Sequence, residues 1–483
     1  MIRDFQLHKM ELHMSWASEE LFNIDLGDAR LNKRSIKILD ALAGNPLTSI
    51  PAACGGYHET KAAYRFFDNA SVTPQKILKP HIDATLKRIT EEKIVLCVQD
   101  TSELDFSGQK ENIGMGFLNR DSRRGFYLHP TLALTPDRVC LGIIDQQTHR
   151  REQLNHHLTP EEKKLNKKLP IEERESYRWL QSYQAACSIA EKFPDKTIVS
   201  IGDRECDMYE FFIAAKDRQK NGAAAHWLIR LQHDRSTEKT QENADGELTH
   251  KKLREIASQS PVLGQIEFML RARDGKQERQ VTQTVQITSE KILPPDTLKT
   301  DIQSIDVTAI LTKEINTPDG EDPIEWMLLT SIEIKDNNQA IDVIKWYLAR
   351  WEIEIYFKIL KSGCHIEELQ LETEARMDAC LAMYMIVAWR ILYFTMLGRV
   401  CPDVSCEIVF HEHEWKSVYE VLNKKKAPEK PISLNGMIIL IGCLGGHLNR
   451  KSDGFPGPKK MWIGMQKMRN FTVAREALMD IYG

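Results

Sequence analysis

IKWYLARWEIEIYFKILK, residues 344–361, carries Tyr347, Arg350, Glu354 and Lys361 at spacings that fit one helix. At about 100° per residue, Arg350, Glu354 and Lys361 fall within a sector of about 60° next to Tyr347. Trp346, Leu348, Trp351, Ile355, Phe357, Ile359 and Leu360 fill the rest of the surface, so the helix is expected to pack inside protein. A carboxylate held there needs compensation, from Arg350 and Lys361 or from a divalent cation. The plainer reading is an amphipathic helix with charges paired along one stripe.

KIVLCVQD (93–100) and KTIVSIGD (196–203) are short, β-branched runs that each deliver an acid at the end, Asp100 and Asp203. Two more strand-like runs, 129–135 and 139–146, are joined at Pro136-Asp137. A long helix is expected over 171–193, after a charged surface loop at 160–169. The interval between Asp203 and Glu354 is too long for one crossover. It reads as β, with runs at 226–232, 264–272, 281–288, 305–311 and 326–332 and a turn at Asp274-Gly275.

The flanks read as helical. Residues 29–42 set Arg30, Lys33, Arg34 and Lys37 opposite Leu31, Ile38, Leu39 and Leu42, and a second helix at 59–69 carries Lys61, Tyr64 and Arg65. Near the other end, helices are expected at 375–397, 406–422 and 434–444, the last capped by Ser433 and stopped by Gly445-Gly446. Residues 380–397 are apolar enough to suggest a membrane span, but Arg390 in their middle favours a buried helix. His411-Glu-His413-Glu alternates around a helix and reads as a solvated face rather than a metal site.

Composition sets bounds on this reading. With 483 residues, 42% hydrophobic and 28% charged, the chain supports two or more domains. Its net charge of −4 excludes a globally basic nucleic-acid module, so any DNA contact must be local. The ten cysteines form no paired framework, which argues against a zinc ribbon or disulfide scaffold and for a reducing cytoplasm. Residues 1–20 contain no signal-peptide core, and Met1, Met10 and Met14 are alternative starts.

The pattern Y-x2-R-x3-E-x6-K resembles the signature of the insertion-sequence-four family of DDE transposases, the group that contains the transposon-five transposase. LGDARLNKR (26–34), KAAYRFFDN (61–69), RGFYLHPTLALTP (124–136) and GDRECD (202–207) also resemble segments of that family. The resemblance implies an α/β fold with a ribonuclease H-like catalytic core at 91–225 and 336–372. An inserted β-rich subdomain at 226–335 would interrupt that core. A helical N-terminal DNA end-recognition domain at 1–90 and a helical C-terminal dimerisation region at 373–483 would flank it.

What the family does then becomes the expectation. Asp100, Asp203 and Glu354 would be the catalytic metal ligands, holding two Mg²⁺ ions, with Mn²⁺ as a substitute. Tyr347, Arg350, Lys361, Arg230 and Trp326 would contact DNA near the cut, the tryptophan by stacking on an extruded base. Arg30, Lys33, Arg34, Tyr64 and Arg65 would grip the transposon end. The partners would be double-stranded DNA, at the inverted repeats and the target, and a second copy in a synaptic homodimer, with no membrane involved. The reaction would be cut-and-paste transposition through a hairpin intermediate, in the cytoplasm. The alternatives are a catalytically idle DNA-binding regulator and a ribonuclease H-like nuclease without strand transfer.

Overall fold

The computed structural model describes residues 15–109, 114–154, 156–166, 169–242, 247–270, 278–298, 300–301 and 303–482. The alternative starts and the expected turn at Asp274-Gly275 lie outside the described residues. Five helices come first: α1 (Trp16–Glu20), α2 (Ala29–Gly44), α3 (Ile50–Cys54), α4 (Tyr57–Phe67) and α5 (Pro74–Ile89). The Asp28 carboxylate caps α2 by accepting from the Arg30 N–H at 2.7 Å. As the periodicity requires, Ile38, Leu39 and Leu42 are buried while Lys33 and Lys37 face outward; Leu31 is half-buried. Glu20 ties α1 to α5 by accepting from Arg88 at 2.9 and 3.0 Å and contacting His81 Nδ1 at 2.5 Å.

The strands are β1 (Ile94–Gln99), β2 (Ser102–Asp105), β3 (Gly116–Phe117), β4 (Arg124–Leu134), β5 (Cys140–His149), β6 (Thr197–Gly202), β7 (His226–Arg230), β8 (Ser236–Glu242), β9 (Leu248–Lys252), β10 (Val262–Leu270), β11 (Arg279–Ile292), β12 (Ile305–Glu314) and β13 (Glu325–Thr330). β1 lies between antiparallel β4 and parallel β6, and β7 follows β6 in parallel. β13, β12 and β11 then continue antiparallel, so the strands of 226–335 extend the same sheet.

The connecting helices are α6 (Pro160–Asn166), α7 (Tyr177–Lys192), α8 (Tyr209–Asn221) and α9 (Leu253–Gln259). α6 replaces the loop expected at 160–169, because Thr159 and Glu162 form a reciprocal cap: each backbone N–H donates to the other's side chain, at 2.7 and 3.2 Å. The helix expected from 171 begins at Tyr177, after a 3₁₀ turn at Ile171–Glu173.

The stretch 344–361 is not one helix. α10 (Asn337–Ala349) gives way to α11 (Trp351–Lys358), and Ile359–Gly363 forms a π turn. At the first junction the Arg350 N–H donates to Tyr347 O and the Ile353 N–H to Arg350 O, both at 3.1 Å, the i→i+3 pattern of a tightened turn. Beyond lie α12 (Glu374–Val400), α13 (Glu412–Asn423), α14 (Leu434–Leu444) and α15 (Pro458–Tyr482). The helix expected from 406 starts at Glu412 after a 3₁₀ turn, and Ser433 caps α14 as expected, accepting from Gly436 at 3.2 Å.

α12 is long and apolar enough to cross a membrane, yet it is the buried hub of the helical half. α2, α5, β5, α14 and α15 pack against it, and Trp389 donates to Cys140 O at 2.8 Å. Arg390 is buried there by lying over the rings of Trp16 (4.1 Å) and Phe394 (5.1 Å). The sheet has a core on each face. Leu96, Val98, Val199 and Ile201 face α10 to α12, whereas Val95, Cys97 and Ile198 face α7 and α8.

Candidate active site

The two strand-end acids are brought together by register. Val98 pairs with Ile201 across the parallel β1/β6 ladder, so two residues on Asp100 stands opposite Asp203, on backbones about 4.8 Å apart. Side chains alternate, so Asp100 shares the face of Leu96 and Val98, and Asp203 that of Val199 and Ile201. This is the face covered by α10 and α11. Backbone amides fix one oxygen of each acid: Thr101 donates to Asp100 Oδ1 at 2.7 Å and Glu205 to Asp203 Oδ1 at 2.8 Å.

Glu354 reaches this face through Arg350. The tight turn at Arg350 directs its guanidinium at both acids, with Nη1 donating to Asp100 Oδ2 at 2.5 Å and Nη2 to Glu354 Oε1 at 3.1 Å. Burial pushes Asp100 up, Arg350 pulls it down, and the nearby Asp203 and Glu354 push it up again, leaving it at about 7. Burial opposes the charge on Arg350, but Asp100, Tyr347, Glu354 and Asp203 hold it above its usual range. Hard carboxylate oxygens on one face, with Asp203 and Glu354 both raising the cost of ionising Asp100, fit a divalent cation, and Arg350 supplies part of the compensation. Their ligand atoms do not all lie within 4.8 Å of one another. Among the described residues, the group that meets that spacing is the exposed Asp121, His156 and His157.

Other expected residues are placed differently. Lys361 sits on the π turn and faces Glu367 at 3.8 Å rather than Glu354. The Glu354 side chain is 57% exposed, so the acid enclosed by the helix is Glu352, fully buried, with Arg138 at 3.9 Å. Its position on the apolar side of α11 was the available signal. Tyr347 is buried, with its hydroxyl in contact with Arg350 and Arg230. Trp326 is 5% exposed and its ring is stacked on Phe268 at 5.1 Å. The covering Phe268 comes from β10, which pairs with β11 rather than with the tryptophan's own strand β13.

At the N-terminal helices, Arg30 is exposed and pairs with Asp28 at 2.8 Å, and Arg34 pairs with Glu59. Lys33 and Arg65 are exposed and Tyr64 is half-buried. His411 and His413 are not joint ligands, since the His411 N–H donates to Glu414 at 2.9 Å as a helix cap and His413 faces Glu476 at 3.7 Å. Sequence reasoning passed over Arg178, on α7, whose Nε donates to Thr101 Oγ1 at 2.9 Å and Nη2 to Glu205 Oε2 at 2.8 Å. No spacing pointed to it.

Three protein-family models match the chain in tandem: a transposase DNA-binding domain over residues 13–72, a transposase DDE domain over 216–389 and a transposase Tn5 dimerisation domain over 386–478. The DDE match includes Arg230, Trp326, Tyr347, Arg350, Glu354 and Lys361. It begins after Asp100 and Asp203, whose assignment rests on register and geometry.

Proposed function

We infer, since this chain belongs to the Tn5-like, insertion-sequence-four family of DDE transposases, that it excises a DNA element by cutting at its inverted repeats and joins the freed 3′ ends to target DNA. The chain is a DNA transposase that binds DNA, forms a homodimer and uses divalent metal. The finer assignments that follow are our reading. What carries them is the alignment of Asp100 with Asp203 on the face where Arg350 joins Asp100 to Glu354.

In this reading Asp100, Asp203 and Glu354 hold two Mg²⁺ ions, which Mn²⁺ can replace. Bound there, such ions lower the cost of deprotonating the attacking hydroxyl and of charge on the leaving oxygen. Arg350 exchanges Asp100 for a DNA phosphate, which its fork binds in bidentate fashion. Tyr347 and Arg230 orient that guanidinium from one side, and Lys361 adds a point charge at the other end of the site. Arg30, Lys33, Arg34, Tyr64 and Arg65 grip the inverted repeat.

Hydrolysis of one strand frees a 3′-hydroxyl, whose attack on a phosphodiester of the opposite strand forms the hairpin and expels the 3′-oxygen of the flanking DNA. Water then attacks the hairpin phosphodiester and releases the 3′-hydroxyl again, which attacks a target phosphodiester and expels the target's 3′-oxygen. Trp326 stacks on the base extruded at the hairpin, which requires the Phe268 ring to move off it. The reaction takes place in the cytoplasm.

The test is Mg²⁺-dependent cleavage and strand transfer on DNA bearing the inverted repeats that flank the element, with the wild type and Glu354→Ala compared. Cleaved and joined products that disappear in the variant while end binding persists support the reading. Wild-type binding without cleavage points to a regulator, and cleavage without joining to a nuclease.

A further inference from the structure

The acids occupy one face of the sheet, and a continuous polar ladder occupies the other. Gln99, Thr101, His129 and Ser200 all alternate toward α7, away from Asp100 and Asp203. Arg178 closes this ladder from the helix. Its Nε donates to Thr101 Oγ1 at 2.9 Å, its Nη1 to Glu175 O at 2.7 Å and its Nη2 to Glu205 Oε2 at 2.8 Å.

The donors run in one direction. Because Arg178 donates to the Thr101 hydroxyl, that hydroxyl donates onward to His129 Nδ1 at 2.8 Å. His129 then carries its proton on Nε2 and donates to Gln99 Oε1 at 3.2 Å. Gln99 Nε2 in turn donates to Ser200 Oγ at 3.0 Å, crossing from β1 to β6. A neutral imidazole is required at the middle of this chain. Burial and the Arg178 charge hold His129 well below the usual histidine range.

The two residues that Arg178 joins are the ones whose backbone amides hold the acids: Thr101 N–H on Asp100 and Glu205 N–H on Asp203. We propose that Arg178 is a positioning residue: by joining Thr101 to Glu205 behind the sheet, it sets the separation of Asp100 and Asp203 and so the affinity of the cation site. The Arg178 side chain is only 14% exposed, and Trp179 beside it packs edge-on against His129 at 4.7 Å. The fork is therefore held by packing as well as by its acceptors. Lysine cannot replace it, having one nitrogen for three diverging acceptors.

The inference rests on the metal-dependent reading of the site. Its test is calorimetric titration of Mn²⁺ into the full-length protein bound to its inverted-repeat DNA, together with end-binding affinity, for the wild type, Arg178→Lys, Thr101→Val and Glu205→Gln. The expected result is Mn²⁺ affinity lowered about tenfold or more by Arg178→Lys and Thr101→Val, with end binding within about twofold of wild type. Glu205→Gln keeps an acceptor for Arg178 and stays near wild type, and melting curves establish that each variant is folded. Unchanged Mn²⁺ affinity in Arg178→Lys and Thr101→Val overturns the proposal. So does a loss confined to end binding, which makes Arg178 a DNA contact. A wild-type complex that takes up no Mn²⁺ overturns the underlying reading as well, which separates the two failures.

Discussion

Arg350 is the residue on which the site turns. Its guanidinium is 11% exposed and faces Asp100, itself 17% exposed, so the pair is held largely out of water. Without Arg350 the Asp100 carboxyl, already at about 7, takes up a proton at neutral pH, and the lost charge-assisted hydrogen bond costs about 1–3 kcal/mol, whereas the exposed contact to Glu354 contributes little. Arg350→Ala is therefore expected to lower the melting temperature of the metal-free protein. Mn²⁺ should restore more of that loss in the variant than it adds to the wild type, because the cation takes over the neutralisation of Asp100. Differential scanning fluorimetry with and without Mn²⁺ checks this. Phe268→Ala is the matching test at Trp326: by uncovering the ring it should favour hairpin formation over the first nick. Equal yields of both steps in variant and wild type would count against a stacking role.

At the scale of elements, two devices hold the helices in place. The first is Glu20, which joins α1 to α5. Burial pushes its carboxyl up, but Arg88 and His81 more than offset this and hold it at about 2. A carboxyl held below its ordinary value stabilises the fold above pH ~4.5, and that stability is lost as the pH falls toward ~2, up to about 3 kcal/mol in all. Glu20→Gln should be less stable than wild type at pH 7, and the gap should narrow between pH 5 and 3 in chemical denaturation. The second is the close approach of α14 and α15, where a Cβ on Gly464 would lie 1.9 Å from Ile441 O. Neither backbone can yield that space. Gly464→Ala is thus expected to cost about 1–3 kcal/mol and to weaken dimerisation, measured by melting and sedimentation.

Elements also show where the sequence was readable. β1 and β6 were legible because β-branched runs ending in an acid leave few other readings, and their period of two puts both acids on one face. The helical spacing of Tyr347, Arg350 and Glu354 was legible too. The break at Arg350 and the π turn at Ile359–Gly363 were not, since both arise from how the chain packs against the sheet rather than from local propensity. Lys361 accordingly turned to Glu367. β2 was missed because SELD has no apolar alternation of its own and exists by pairing with β4. α6 is not legible because 160–169 is as polar as a loop, and its Thr159–Glu162 cap precedes no apolar run. Trp326 and Arg178 depend on neighbours from distant segments, Phe268 and Thr101, which no window of sequence contains.

For the whole molecule, a net charge of −4 means that DNA affinity comes from local basic groups rather than from a global field. End binding should weaken steeply with salt, and Lys33→Ala, if it removes one phosphate contact, should reduce the log–log slope by about 1. A slope unchanged in Lys33→Ala would take that residue out of the interface. The same chain folds a DNA-binding unit, a sheet that carries the acids and a dimerisation region around one buried helix, α12. The central claim is that Asp100, Asp203 and Glu354 form the cation site of this assembly. The most direct measurement is anomalous diffraction from manganese in crystals of the protein with its inverted-repeat DNA. The account predicts manganese bounded by those three carboxylates, with Arg350 moved off Asp100 onto a phosphate. Manganese at Asp121, His156 and His157 alone, with Arg350 still on Asp100, would contradict it.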